Sequence, residues 1–425
     1  MPDSNKIDST VNHLFRHQSG KMVAVLTRIF GTHNLELAED VVQETLIAAL
    51  EQWKIKGIPD DPESWLFIVA KNKALNLIKK QRHQILFGDD KTNLLLSSGY
   101  TVENTFNQLA SNEFIKDDQL RMMFACCHPE ISEENQITLI LKTLCGFSTA
   151  EIAKAFLTSE DNVSKRLYRT KGFFRENNIR FDIPSGDEIK NRIGAVLNAI
   201  YLLFNEGYNS SSSEELIRNN LIEEAVILCK LLAENSMTQL PEVNALMALM
   251  CFHASRSESR LSPEGEIILL AEQDRKKWNH ALIEEGSKYF NESASGETIS
   301  SYHVEAAIAF EHCSAGSFQK TNWKNILELY NLLNKINPSP ITQLNKAVVI
   351  FQIYGAEKAL QELNAIKEIN KLQTYYLYHS IVGEIYLRLN KINEAKTQFE
   401  TALKLTRSEP EKRMLMVKIN SLPLQ

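Results

Sequence analysis

Apolar residues in this chain recur at three- and four-residue spacing almost from end to end, and no two alternating segments read as paired strands. That period confines the chain to helix-on-helix architecture, so the predicted fold class is all-α. The spacing predicts a first helix over 11–30, with Leu14, Val25, Leu26, Ile29 and Phe30 on one face and Gly31 as its end. A second is predicted over 35–53, carrying Leu37, Val41, Val42, Leu46 and Leu50 as a stripe and broken by Gly57 and Pro59. A third is predicted over 62–81, with Pro62 suited to a first turn. Residues 84–117 lose the period. They carry Asp89, Asp90, Glu103, Glu113 and Asp117 against Lys91 and Lys116, and read as an acidic linker. A helical unit follows over 118–178, and Pro184 and Gly186 mark the next boundary. From 187 to 425 the reading is helix after helix, with breaks at 210–213, 262–263, 293–296 and 338–340. The expected domains are therefore 10–83, 84–117, 118–178 and 187–425.

Charge narrows the function classes. The 425 residues have a net charge of −6, and residues 1–180 carry 22 Lys and Arg against 23 Asp and Glu. Any nucleic-acid contact has to come from local basic patches or from a partner that supplies cations. The first ten residues lack the basic start and apolar core of a signal peptide. The longest apolar stretch, 244–252, is far short of the roughly 20 residues that span a bilayer. No membrane association is expected, and the expected compartment is cytoplasmic. The six cysteines show no metal-ligand or disulfide spacing. Adjacent Cys126, Cys127 and His128 point about 100° apart on a helix, so packed, reduced thiols are expected and no metal or cofactor.

The sharpest local pattern runs from Ser148 to Gly172. Ser148 with Glu151 makes a capping box opening one short helix, whose buried face is Ile152, Ala153 and Phe156. Ser159 caps the next, with Glu160 and Asp161 near its N-terminal dipole. Val163 and Leu167 face inward, leaving Ser164, Lys165, Tyr168 and Arg169 outward. A small residue at the crossing and a basic outer stripe are the marks of a helix-turn-helix whose second helix enters a major groove.

The predicted helix over 35–53 presents Glu39, Asp40, Gln43 and Glu44 beside its apolar stripe, a face suited to docking on another protein's helices. The helix after it carries Trp65, Lys71, Asn72, Lys73, Lys79, Lys80 and Arg82 with no acid over 64–82. Cations interleaved with an aromatic suit single-stranded or melting DNA, where the ring stacks and the cations hold phosphates.

Ala38-Glu-Asp-Val-Val-Gln-Glu-Thr-Leu and Pro62-Glu-Ser-Trp-Leu-Phe-Ile-Val-Ala-Lys-Asn resemble region 2 of RNA polymerase sigma factors of the extracytoplasmic-function class. The helix-turn-helix resembles their region 4, and the order and spacing of the modules also match, over residues 10–178. The resemblance implies a transcription initiation factor rather than an enzyme. It would bind promoter DNA and core RNA polymerase, through the clamp helices of the largest subunit and the flap of the second-largest. By that resemblance Asp40, Gln43 and Glu44 touch the clamp. Trp65, Lys71, Asn72 and the basic residues after them meet the −10 element, with the loop over 54–64 helping to hold a base out of the stack. Ser164, Lys165, Tyr168 and Arg169 read the −35 element. Three positions depart from the family pattern: Asn76 and Lys79 stand where an Asp and an Arg are frequent, and Ser164 where many members have Arg.

The second half resembles the large extension of one subgroup of these factors. The matching segments are Ile200-Tyr-Leu-Leu-Phe-Asn-Glu-Gly-Tyr208, Asp274-Arg275 with Trp278, Ala306 to Ala309, Pro338 to Pro340 and Leu344 to Ala347. Gly383, Tyr386, Ala395, Phe399 and Ala402 sit at the small and bulky positions of a tetratricopeptide unit. Such repeats build concave binding surfaces, so the extension is expected to regulate the sigma modules by intramolecular contact, with 201–208 near the hinge. An acid–base site from Asp274, Arg275, His280, His303, Glu305 and His312 lacks metal-ligand spacing; hydrogen-bonded histidines and an Arg–Asp brace are the expected roles. The competing functional class is a one-component helix-turn-helix regulator with a ligand- or peptide-sensing repeat domain. It would have no use for the acidic docking helix and the Trp-bearing basic helix after it.

Overall fold

The structure, a computed structural model, describes residues 4–87, 112–156, 158–177, 179–210 and 216–423; among these, the side chains of 4–13, 81–87 and 112–114 lie outside the description. The described residues are predominantly α-helical, and their only β-type pairing is one isolated bridge, Leu261 to Ile267. The chain divides into two compact units, Met1–Leu203 and Phe204–Gln425.

The first unit is built on α1 (Ser4–Phe30). Met22, Val23, Ala24, Val25 and Leu26 are all buried, so this helix is enclosed on every side over that stretch instead of presenting one apolar face. It packs against α2 (Leu35–Lys56), α3 (Pro62–Phe87), α4 (Asn112–Cys126) and α5 (Glu133–Thr143). The helix-turn-helix follows as α6 (Thr149–Ala155) and α7 (Glu160–Glu176), and α8 (Asp187–Tyr208) begins beyond it. Gly20 lets α1 come close to the end of α5: a Cβ there would lie 2.2 Å from the Leu144 carbonyl oxygen.

Several boundaries fall outside their predicted positions. α1 begins at Ser4 instead of residue 11, and α3 runs to Phe87 instead of 81, because the sequence has no breaker between Gln81 and Gly88. α4 already starts at Asn112, within the predicted linker, and the central part of that linker, 88–111, lies outside the described residues.

The second unit contains α9 (Asn219–Glu234) and α10 (Pro241–Ala254), where Val243 through Phe252 are buried without interruption. α11 (His280–Ser293) and α12 (Ser301–Ser314) pack on α10. Between α10 and α11 the chain runs over 255–279 with no α-helix, a longer interruption than the break expected at 262–263. Gly265, at φ 77°, turns it back on itself. Antiparallel neighbours then succeed one another as α13 (Trp323–Ile336), α14 (Pro340–Tyr354), α15 (Ala356–Asn364), α16 (Tyr376–Arg388), α17 (Ile392–Leu405) and α18 (Glu409–Asn420). Ser339 caps α14 by accepting from the Thr342 N–H at 3.0 Å. A Cβ at Gly383 would stand 2.6 Å from Phe399 Cε1, so only glycine lets α16 and α17 approach this closely. Ala395, Phe399 and Ala402 fill the core behind them with Leu415.

Candidate polymerase and promoter interface

Leu35, Ala38, Val41, Val42, Thr45, Leu46, Ala49 and Trp53 bury one side of α2. The opposite side presents Asp40, Gln43 and Glu44, all exposed, with Gln43 and Glu44 one turn on from Asp40. Ile47 joins the same face with 53% of its surface open to water. The periodicity missed it, because it lies one residue beyond the buried stripe position Leu46. Acids beside an exposed apolar side chain match the anatomy of protein interfaces, an apolar centre within a polar rim.

Leu66, Ala70, Ala74 and Ile78 anchor α3. Asn72, Lys79 and Lys80 are exposed, Trp65, Lys71 and Lys73 are half-buried, and the side chain of Arg82 lies outside the described residues. Trp65 meets buried Trp53 edge-on at 5.4 Å, and Phe15 lies 6.1 Å from Trp53. That aromatic stack fixes the Trp65 ring at the mouth of the preceding loop, where Asp61 accepts from the Ser64 N–H at 3.0 Å. Hydrogen bonds from Ser64 hold the exposed Asp61 carboxyl below its ordinary range. Lys73 Nζ reaches Glu44 at 2.9 Å, so one residue of the basic helix is paired with one of the acidic face.

In the helix-turn-helix both caps form as the sequence predicts. Ser148 Oγ accepts from the Glu151 N–H at 3.2 Å while Glu151 accepts from the Ser148 N–H at 2.8 Å; Ser159 Oγ accepts from the Asn162 N–H at 3.3 Å. Val163, Leu167, Thr170 and Phe174 bury the inner side of α7. Ser164, Lys165, Tyr168 and Arg169 all face outward, with Tyr168 72% exposed. Lys165 makes a 2.7 Å pair with Asp161 one turn earlier.

The two modules do not stand apart. Lys171 of α7 donates to Glu39 of α2, and Arg175 meets Glu36 at 2.7 Å. Burial, opposed by Lys171, raises the Glu39 carboxyl above its ordinary range. Arg16 of α1 pairs with Glu151 at 3.1 Å, Arg28 pairs with Asp118 at 3.1 Å, and Thr32 Oγ1 donates to the Ile179 carbonyl at 2.7 Å. These partners were not legible in the sequence, since nothing local in either helix names a residue 90 or more positions away.

Cys126 and Cys127 are buried, and burial pushes the Cys126 thiol up to about 12; Cys126 Sγ lies 3.8 Å from Thr143 Oγ1. Among the described residues no group of His, Cys, Asp and Glu could hold a metal ion. No described helix is long and apolar enough to cross a membrane. The expected Arg–Asp brace is not formed. Arg275 donates to the His312 and Ala315 carbonyls, and Asp274 instead caps its own turn by accepting from the Lys276 N–H at 3.0 Å. His303 does take a bonded role, accepting from the Ser300 N–H at 3.1 Å and lying 3.1 Å from the Ser293 carbonyl.

An exposed acidic face on α2, a basic helix carrying Trp65 and a capped helix-turn-helix follow one another along the chain. Residues 14–84 match Sigma-70 region 2 and residues 121–173 match Sigma-70, region 4. Residues 192–294 match a family of unknown function (DUF6596). The chain belongs to the sigma factors of the extracytoplasmic-function type. It is 32% identical over 400 residues to the uncharacterized protein R00370 of Rhizobium meliloti (strain 1021), covering 94% of this chain and 93% of that one. It is 29% identical over 132 residues to the ECF RNA polymerase sigma factor SigL of Mycobacterium tuberculosis, covering 31% of this chain and 68% of that one. No solved structure matches the chain.

Proposed function

We propose that this non-enzymatic factor docks on core polymerase through Asp40, Gln43, Glu44 and Ile47 and reads promoter DNA through its two basic helices. The observation that carries this reading is the exposure of both motif-bearing faces: the acidic face of α2 and the Ser164–Lys165–Tyr168–Arg169 face of α7. Trp65, Lys71, Asn72, Lys73, Lys79, Lys80 and Arg82 take the −10 element in this reading, and the α7 face takes the −35 element. Those elements lie ~25 base pairs apart, about 85 Å at 3.4 Å per step. Modules joined by Lys171–Glu39 and Arg175–Glu36 cannot span that distance, so engaging a whole promoter requires them to part. Core polymerase competes for the acidic helix and supplies the cations that a chain of net charge −6 lacks.

The extension, in this reading a tetratricopeptide-like regulator in a cytoplasmic protein, sets when that opening occurs. Its support is the succession of antiparallel helices and the glycine-permitted crossing of α16 and α17. Capture of core polymerase by the purified protein tests the docking face. Asp40→Arg is expected to lower the affinity at least about tenfold, an ordinary loss for a like charge placed in an interface. Unchanged capture by that variant removes α2 from the docking surface.

A further inference from the structure

The irregular stretch over 255–279 gathers three arginines that form no ion pair among the described residues. Arg256, two residues after α10, places Nη2 at 3.3 Å from His253 Nδ1, and its guanidinium lies 5.8 Å from the centre of the Tyr208 ring. Arg260 covers that same ring at 4.0 Å, and its terminal nitrogens reach the Tyr208 carbonyl and, at 3.4 Å, Asn209 Oδ1. Arg275 lies 4.7 Å from the Trp278 ring and donates to the carbonyls that end α12. None of the three forms an ion pair with a described carboxylate. The carboxylate whose field reaches Arg260, Glu411, already accepts from the Tyr376 and Thr406 hydroxyls. Burial, with Arg256 adding to it, lowers both the Arg260 and Arg275 guanidiniums from the ordinary arginine range.

Unpaired buried polar atoms collect in the same place. Tyr208 Oη, Arg275 Nη2, Trp278 Nε1 and His312 Nδ1 are each shielded from solvent with no hydrogen-bond partner. Three of the four are donors. Burial and the neighbouring arginines push the His312 imidazole down to about 4, so at neutral pH it adds no fourth charge. Native structures complete nearly all such groups, and a cluster left incomplete marks a place where something else supplies the acceptors. A guanidinium fork matches a carboxylate or phosphate, which offers acceptors alone and cancels the charge. The depth of the donors suits a small molecule and not the surface of a macromolecule.

We propose that the Arg256–Arg260–Arg275 cluster with Tyr208, Trp278 and His312 binds a small oxyanion, the phosphate or carboxylate group of a metabolite. The extension is then a receptor for that metabolite, and α8 and α10 are the elements whose ends its occupancy ties together.

Calorimetric unfolding of the full-length protein in chloride, inorganic phosphate and citrate at matched ionic strength tests this. The transition that reports the extension is expected to rise saturably with phosphate or with citrate and not with chloride, and the anion that acts identifies the group. Arg256→Gln and Arg275→Gln are each expected to weaken the apparent affinity at least about tenfold. Arg275 also braces two carbonyls, so circular dichroism checks each variant's fold, and Arg256→Gln, whose hydrogen bond is to His253 alone, carries the test if Arg275→Gln unfolds. A flat response to both anions overturns the proposal, as does a response that folded Arg256→Gln retains in full. Neither measurement involves polymerase or DNA, so failure here is separate from failure of the sigma reading.

Discussion

Gly20 and Asp118 show how much of the first unit depends on single residues between its modules. Any side chain at Gly20 meets the Leu144 backbone, which cannot move without disturbing the end of α5. Gly20→Ala is expected to lower the stability of the first unit by about 1–3 kcal/mol, the ordinary cost of overpacking, read by chemical denaturation. Asp118 is fully enclosed beside Arg28, and burial outweighs that partner to raise its carboxyl to about 6. A carboxyl raised above its unfolded value favours the fold when protonated, and that contribution is lost as pH rises through about 6. The first unit is therefore expected to gain stability between pH 7 and pH 5 relative to Asp118→Asn. Parallel stability curves for the two proteins across that range would contradict it. Neither residue announces itself in the sequence, where Gly20 reads as a weak spot in a helix and Asp118 as one more acid near a linker.

At the scale of elements, legibility followed the range of the forces involved. The caps at Ser148 and Ser159 are set by residues within three positions, and both form at the expected places. The outward faces of α2 and α7 follow from helical period alone, so Asp40, Gln43, Glu44, Ser164, Lys165, Tyr168 and Arg169 are legible in the sequence. The pairing of α7 with α2 could not, because Lys171 and Glu39 are 132 residues apart and each reads locally as a solvated charge. The same limit hid the enclosure of α1, whose burial on every side depends on neighbours from both modules. Reversing Lys171 and Arg175 together to Glu is expected to loosen this pairing, seen as faster amide exchange in α2 around Glu36 and Glu39. Exchange equal to the wild type would show that the ion pairs do not hold the modules. Arg169→Ala, on the outer face of α7, is expected to reduce transcription from a −35-dependent promoter about tenfold while leaving core binding intact, in line with ~1–3 kcal/mol for one base-reading contact.

At the scale of the whole molecule, a sigma module and a helical extension share one chain. The balance of charge is central: residues 1–180 carry nearly equal numbers of cations and acids, so specific DNA reading is expected only once polymerase contributes to the phosphate grip. The extension is larger than the module and carries its own cluster of half-buried arginines, away from the residues proposed to read the promoter. Its long interruption over 255–279 was the least legible part of the sequence, because a segment held by arginine–carbonyl bonds and ring contacts leaves no periodic trace. Transcription in vitro with purified core polymerase, followed by mapping of start sites, tests whether the chain initiates transcription as a sigma factor. Defined start sites are expected only when both the chain and core polymerase are present, and they are expected to weaken with Asp40→Arg. Tight promoter binding by the chain alone, with no association with core polymerase and no new start sites, would contradict it.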